Sequence, residues 1–317
     1  MKCRGIVTLW LFGLLLLSVT GCEKYVLCLH PLYTPEDQVF EADLVGKWFD
    51  EGGVWEFSQD EDGNYDVRTA EPFALGRFRG TLLRLDGNQY LNLEPTAEPD
   101  RPQTTGHYDA HFVSAHSFLR LDRVASGFQL SQLKVDTLKE MLEEDPDLVS
   151  CVPRGDHLLL TADTAALQSF VRGISDNNDL WESAADLNRC PRLYETSHIV
   201  TQDHFTGKWR DPNEDEGTLV ITPGEKRRYD MRFLPDDEEA EPLHFWGYLV
   251  EIDGLTFLGG FLGEAADVTL PDWFALVGLK EKTLRLKFAN YADMQEMLQD
   301  REAALTAMAE PDVVLRR

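Results

Sequence analysis

Residues 44–48 read LVGKW and residues 205–209 read FTGKW. The likeness extends outward from both. Leu32-Tyr33 matches Leu193-Tyr194, Val39 matches Val200, Gly46-Lys47-Trp48 matches Gly207-Lys208-Trp209 and Asp50 matches Asp211, all at one spacing. Further on, NYDVR (64–68) faces RYDMR (228–232), and FRGTLLRLDG (78–87) faces FWGYLVEIDG (245–254). HSFLRLDRVASGFQLSQLKVDTLKEML (116–142) then runs without a gap against DWFALVGLKEKTLRLKFANYADMQEML (272–298). The order is kept, and the spacing drifts only where loops fall. This reads as an internal duplication. Its period is far longer than the roughly 20–50 residues of a solenoid repeat, so it predicts tandem domains.

Within each copy the segments between loops read as strands. In the first, VWEFS, YDVRTA, RFRGTLLRL, QYLNLEP, SFLRLDR and FQLSQLK are short, rich in aromatic or branched residues, and several alternate apolar with polar. LDGN places Asp86-Gly87-Asn88 after a strand, a good hairpin turn. With the LVGKW strand, about seven antiparallel strands are expected per copy. VDTLKEMLEEDPDLV follows as a helix, with Leu138, Met141, Leu142 and Val135 on one face. HLLLTA reads as an eighth strand, and DTAALQSFVRGISD as a short helix capped by Asp163 or Thr164. The second copy has its helix at YADMQEMLQDREAALTAMA and a last strand at DVVLR. The expected fold class is mainly β: two tandem antiparallel β-barrel-like repeats, each with a helix near its end. A half-open sheet curled over a helix is the alternative.

The N-terminus stands apart. Lys2 and Arg4 precede an apolar run from Ile6 to Leu17, which suits a secretion signal and is short for a membrane span of about 20 residues. The run ends in Val19-Thr20-Gly21-Cys22, which resembles a bacterial lipobox. That resemblance implies cleavage before Cys22 and acylation of its thiol, with several chains giving a stable anchor. A plain cleaved signal and an uncleaved membrane helix are the alternatives. Glu23, where Asp commonly signals inner-membrane retention, leans towards the outer membrane of a bacterial cell envelope. The expected layout is a signal peptide over 1–21, a lipidated N-terminus and linker over 22–38, a first repeat over 39–175, a linker over 176–199 and a second repeat over 200–317.

Gly-x-Trp on a first strand, followed by meandering strands, resembles the calycin/lipocalin group. The resemblance implies that Trp48 and Trp209, each two residues after Gly46 or Gly207, close a barrel base under a basic side chain from a late strand. Arg316 is the candidate for that side chain in the second copy, and none is assignable in the first. Lipocalins place their helix after the eighth strand, whereas here a helix precedes it. The order of lipobox, CLHPLYTPEDQVFEADLVGKW, HFVSAHSFLRLDRV and LLLTADTAALQSFV also resembles a broad set of uncharacterised bacterial lipoproteins. That likeness covers nearly the whole first copy.

Charge narrows the partners. The chain has 30 Lys+Arg against 56 Asp+Glu, a net charge of −26. Such a surface repels nucleic acid, whose binding needs basic patches, and disfavours close contact with anionic lipid head groups, so the expected anchor is the fatty acids and not the protein face; the reading of the charge is solubility. The 43% hydrophobic content rules out general disorder. With Cys3 in the signal and Cys22 acylated, Cys28, Cys151 and Cys190 leave room for one disulfide whose pairing the sequence does not choose.

Chemistry-bearing patterns are few. His107, Asp109 and His111 would share one face of a strand and offer two imidazoles and a carboxylate to a metal; a polar face or long loop is the other reading. His116 reads as a hydrogen-bonded structural histidine. No nucleophile elbow, His-Glu-x-x-His or phosphate loop occurs, and no enzyme activity or cofactor is expected. The acidic stretches at 60–64 and 235–241 lack EF-hand spacing and read as solvated hairpin tips. If one copy holds a lipid or small apolar ligand, Phe245, Trp246, Tyr248, Phe257 and Phe261 are its candidate lining, with core packing as the alternative. The functional expectation is a membrane-anchored, non-catalytic binding module for a lipid, a small apolar molecule or an envelope protein. The alternatives are a structural lipoprotein with filled barrels and an unrecognised hydrolase.

Overall fold

The computed structural model describes residues 24–71, 74–96, 115–211, 217–235, 242–261, 270–280, 282–309 and 311–316. The chain is mainly β, built as two closed eight-stranded antiparallel barrels in tandem. A small sheet and two helices pack on the first, and two more helices on the second.

The first barrel begins at β2 (Gly46–Phe49) and meanders through β3 (Val54–Gln59), β4 (Tyr65–Glu71), β5 (Ala74–Leu85), β6 (Asn88–Pro95), β7 (Ser117–Val124) and β8 (Gly127–Leu133). Helix α1 (Val135–Glu144) follows and buries Val135 and Leu138, with Met141 and Leu142 packed on the same cluster. Two short strands, β9 (Cys151–Arg154) and β10 (His157–Leu160), lead into α2 (Thr164–Ile174). Asp163 caps α2, its carboxylate accepting from Ala166 N at 2.9 Å. The barrel is closed by β11 (Trp181–Arg189), which pairs with β8 on one edge and β2 on the other. This corrects two expectations. HLLLTA is not the eighth barrel strand: β10 joins β9 and the N-terminal β1 (Val26–Cys28) in a separate three-stranded sheet. Residues 176–199 are not only a linker, since they contain β11.

The second barrel repeats the plan. After the short β12 (Ile199–Val200) come β13 (Gly207–Arg210), β14 (Thr218–Pro223), β15 (Tyr229–Leu234), β16 (Leu243–Ile252), β17 (Leu255–Phe261), β18 (Trp273–Lys280) and β19 (Thr283–Ala289). Helices α3 (Tyr291–Gln299) and α4 (Arg301–Ala307) precede β20 (Val313–Arg316), which closes the ring between β19 and β13. In both copies the helix therefore comes before the closing strand. The equivalence reaches single hydrogen-bonding registers: Gln38 bridges Leu83 in the first copy, and Ile199 bridges Val250 in the second. The Asp-Gly turns at 86–87 and 253–254 are two-residue hairpins, with Asp86 and Gly87 at φ 47° and 94° and Asp253 and Gly254 at 51° and 75°. Two successive positive φ values suit the right-handed twist of the strands they join.

Alternation along the strands builds two cores per copy. One face of the first barrel gathers Trp48, Phe57, Tyr65, Leu82, Leu91, Leu119, Phe128 and Leu187 into its lumen. The other face of β5–β7 packs Leu83, Tyr90 and Phe118 against α1, α2 and the small sheet. The second lumen holds Phe205, Trp209, Met231, Phe245, Leu249, Leu258, Trp273 and Leu286. No helix among the described residues is long and apolar enough to cross a membrane.

Candidate functional site: the barrel bases and the contact between barrels

Each Gly-Lys-Trp follows a short 3-10 turn, Ala42–Leu44 or Asp203–Phe205. The indole nitrogens turn back onto those turns. Trp48 Nε1 donates to Leu44 O at 2.8 Å, and Trp209 Nε1 to Phe205 O at 3.0 Å. The paired tyrosines lock the same entry. Tyr65 Oη accepts from Glu41 N at 2.8 Å, and Tyr229 Oη from Gln202 N at 2.7 Å. Burial raises both phenols above their ordinary value of 10.0, which keeps them as neutral donors.

The basic side chain over the first tryptophan is Arg189, at the end of β11. It stands opposite Trp48 in register, its guanidinium lies 4.8 Å from the indole centroid, and Nη1 donates to Val45 O at 2.9 Å. Gly46 makes room for it. Its φ is +131°, and a Cβ there would stand 2.5 Å from Arg189 Nη1. Sequence reasoning missed Arg189 because 176–199 read as a linker. The corresponding expectation for Arg316 is corrected: it stands opposite Arg210 and is exposed, so it shares that residue's outer face and not the face of Trp209.

Lys47, the middle residue of the first motif, points the other way and crosses to the second barrel. Its Nζ donates to Asp272 Oδ1 at 2.9 Å and to Leu270 O at 2.7 Å. Arg68 from β4 donates to both oxygens of the same carboxylate, at 2.9 and 2.7 Å, and also holds Glu56. The side chains of Lys47, Arg68 and Asp272 are 6%, 12% and 0% exposed. Two cations and two carboxylates thus form a charge-balanced network, buried at Lys47, Arg68 and Asp272 and partly exposed at Glu56. Burial alone would lower Arg68, but Asp272 and Glu56 outweigh it and hold the guanidinium above its ordinary value. Apolar packing surrounds the network. Phe49 stacks on Tyr291 at 5.4 Å, and Val54 and Cys190 of the first copy join the cluster on the outer face of the second.

Among the described residues, concavities lie outside the lumens at two places. One of about 410 Å³ sits at the base of the first barrel, beside Trp48, Arg123, Gly127, Phe128 and Arg189. One of about 210 Å³ lies between the barrels, beside Glu51, Asp272, Trp273 and Tyr291. The residues expected to line an apolar pocket do not surround one space. Phe245 faces the second lumen, edge-on to Trp273 at 5.8 Å. Trp246, Tyr248, Phe257 and Phe261 are on the opposite face, where Trp246 stacks on Phe261 at 4.3 Å and the others pack towards α3.

Cys28, Cys151 and Cys190 are all free thiols, so the disulfide left room for by the sequence is not formed. Cys28 and Cys151 both stand in register with Leu160 from opposite sides, about 10 Å apart at ordinary strand spacing and beyond bridging distance. Burial pushes the thiols of Cys28 and Cys190 up to about 12, which removes their nucleophilicity at neutral pH. His116 is a structural group: its backbone bridges Cys28, and its Nδ1 lies 3.3 Å from Asn92 Nδ2. His107, Asp109 and His111 lie outside the described residues, as does Cys22 and most of the acidic stretch 235–241. The acidic stretch at 60–64 is a hairpin tip, where Asp60 Oδ1 accepts from Asp62 N and Asn64 N at 2.9 and 2.8 Å. No protein-family model, curated protein or solved structure matches the chain.

Proposed function

We propose that this chain is a lipid-anchored, non-catalytic protein of the bacterial cell envelope, one of the lipoproteins it resembles, and that it binds partner proteins with the outer surfaces of two solid barrels. The filling of both lumens carries this reading. Tyr65, Phe57, Phe128, Phe205 and Trp209 are all less than 2% exposed, and such a packed interior leaves an apolar ligand no place without displacing core side chains. The buried ionic groups support it too. Lys47, Arg68, Asp272 and Glu56 pair with one another across the contact between the barrels, which gives these charges a structural role. Acyl chains on Cys22 supply the membrane attachment in this reading, with the outer membrane as the site.

Native mass spectrometry of a soluble form beginning after Cys22, purified without detergent, tests the filled-barrel reading. The expected result is the bare polypeptide mass. A lipid or small molecule released on denaturation would overturn it in favour of a ligand carrier.

A further inference from the structure

We propose that the outer face of the small sheet, in strand order β1–β10–β9, rests on the phospholipid bilayer. This rests on the reading of Cys22 as the acylated residue. The sheet has two unlike faces. Cys28, Leu158 and Leu160 point inward and are buried in the first copy's outer core. The register places Leu27, Leu159 and Val152 in one row on the other face, and Tyr25 opens the next row beside His157. Leu27 and Leu159 are half-buried, while Val152 and Tyr25 are 47% and 40% exposed. These two belong to the few large hydrophobic side chains exposed among the described residues.

The tether selects the occupant. Residues 23–25 separate Cys22 from β1, a reach of about 14 Å at full extension. Acyl chains seated in a bilayer therefore hold this sheet, and not the second barrel, beside the lipid. Tyr25 has the amphipathic ring that suits the head-group level. The patch is small, so its own affinity for lipid is slight, but a tether converts slight affinity into stable contact by raising the local concentration. Charge agrees. The chain carries −26 overall, yet Arg154 balances Asp156 at the β9–β10 hairpin and Lys24 is paired with Asp136. The charges on the face itself are therefore balanced, which lessens the repulsion that anionic lipid exerts on so acidic a chain. A second copy is a poorer occupant, because Pro153 on the outer strand lacks the N–H that strand addition uses.

The test uses the acylated full chain in vesicles of phosphatidylethanolamine and phosphatidylglycerol. A nitroxide is placed at Val152→Cys, or at Arg154→Cys, in a Cys151→Ser background. A reference label sits at Leu234→Cys, an exposed site on the second barrel. Cys28 and Cys190 are buried and react slowly. Mass spectrometry of the same sample reads the modification of Cys22. The expected result is an acylated Cys22, with labels at 152 and 154 shielded several-fold from a water-soluble nickel chelate relative to 234. Equal accessibility at all three positions with Cys22 acylated would overturn the bilayer contact and leave the anchor standing. Spin–spin broadening at 152 would overturn it in favour of a second copy. An unmodified Cys22 would remove the anchor and this proposal together.

Discussion

Trp48 and Trp209 are each buried in a lumen core and donate their one polar hydrogen to a carbonyl four residues back. A buried indole of this kind does two jobs: it fills the base and it pins the turn that enters the first strand. Trp48→Ala and Trp209→Ala should each destabilise the protein by about 3–5 kcal/mol, the range for buried aromatic truncations, as read by chemical denaturation. His116 gives a pH signature. Burial holds its imidazole below the ordinary value of 6.5, with Glu94 opposing and His30 adding to the shift. The folded state therefore disfavours the proton that the unfolded state accepts. His116's contribution is intact above 6.5 and is lost as pH falls from 6.5 through the folded value. Denaturation midpoints should drop over that window, and His116→Asn should flatten the drop. The two tryptophans were legible because Gly-Lys-Trp recurs in matched company. Arg189 was not, because its place depends on the register of a strand that the sequence concealed.

At the scale of elements, the concealed strand is β11. Its burial alternates poorly, since the register shifts between Ser183 and Ala185 and breaks the two-residue period. WESAADLNR consequently reads as polar linker, whereas HLLL reads plainly as a strand but carries no mark of the sheet it joins. The Asp-Gly turns and the Asp163 cap were legible for the opposite reason: each is a local backbone demand met by a particular residue type. The aromatic cluster of β16 and β17 shows the same limit. Phe245 and Trp246 are neighbours in sequence, yet face lumen and outer face respectively, so aromatic density alone cannot locate a pocket. A fragment ending at Ser175 leaves the edges of β2 and β8 unpaired and lacks Trp181 and Leu187. It should show no cooperative thermal transition by circular dichroism, whereas a fragment reaching Pro191 should show one.

At the scale of the molecule, the duplicated motif has diverged in its middle residue. Lys47 is buried in the contact between barrels, while Lys208 is exposed. The receiving position has diverged too: Asp272 stands where the gap-free match puts His116 in the first copy. No local signal announces a pairing between residues so distant in sequence. The consequence is that the two copies, each closed on itself, are joined by a buried ionic network and a shared apolar cluster. Removing one partner of such a network strands the others away from water, at a cost of about 3–5 kcal/mol. Asp272→Ala should therefore weaken the contact far more than Lys208→Ala changes anything. Scanning calorimetry of the soluble chain tests this coupling most directly. The account predicts one cooperative transition for the native sequence, resolved into two by Asp272→Ala as the barrels unfold separately. Two separate transitions in the native chain, unaltered by Asp272→Ala, would contradict it.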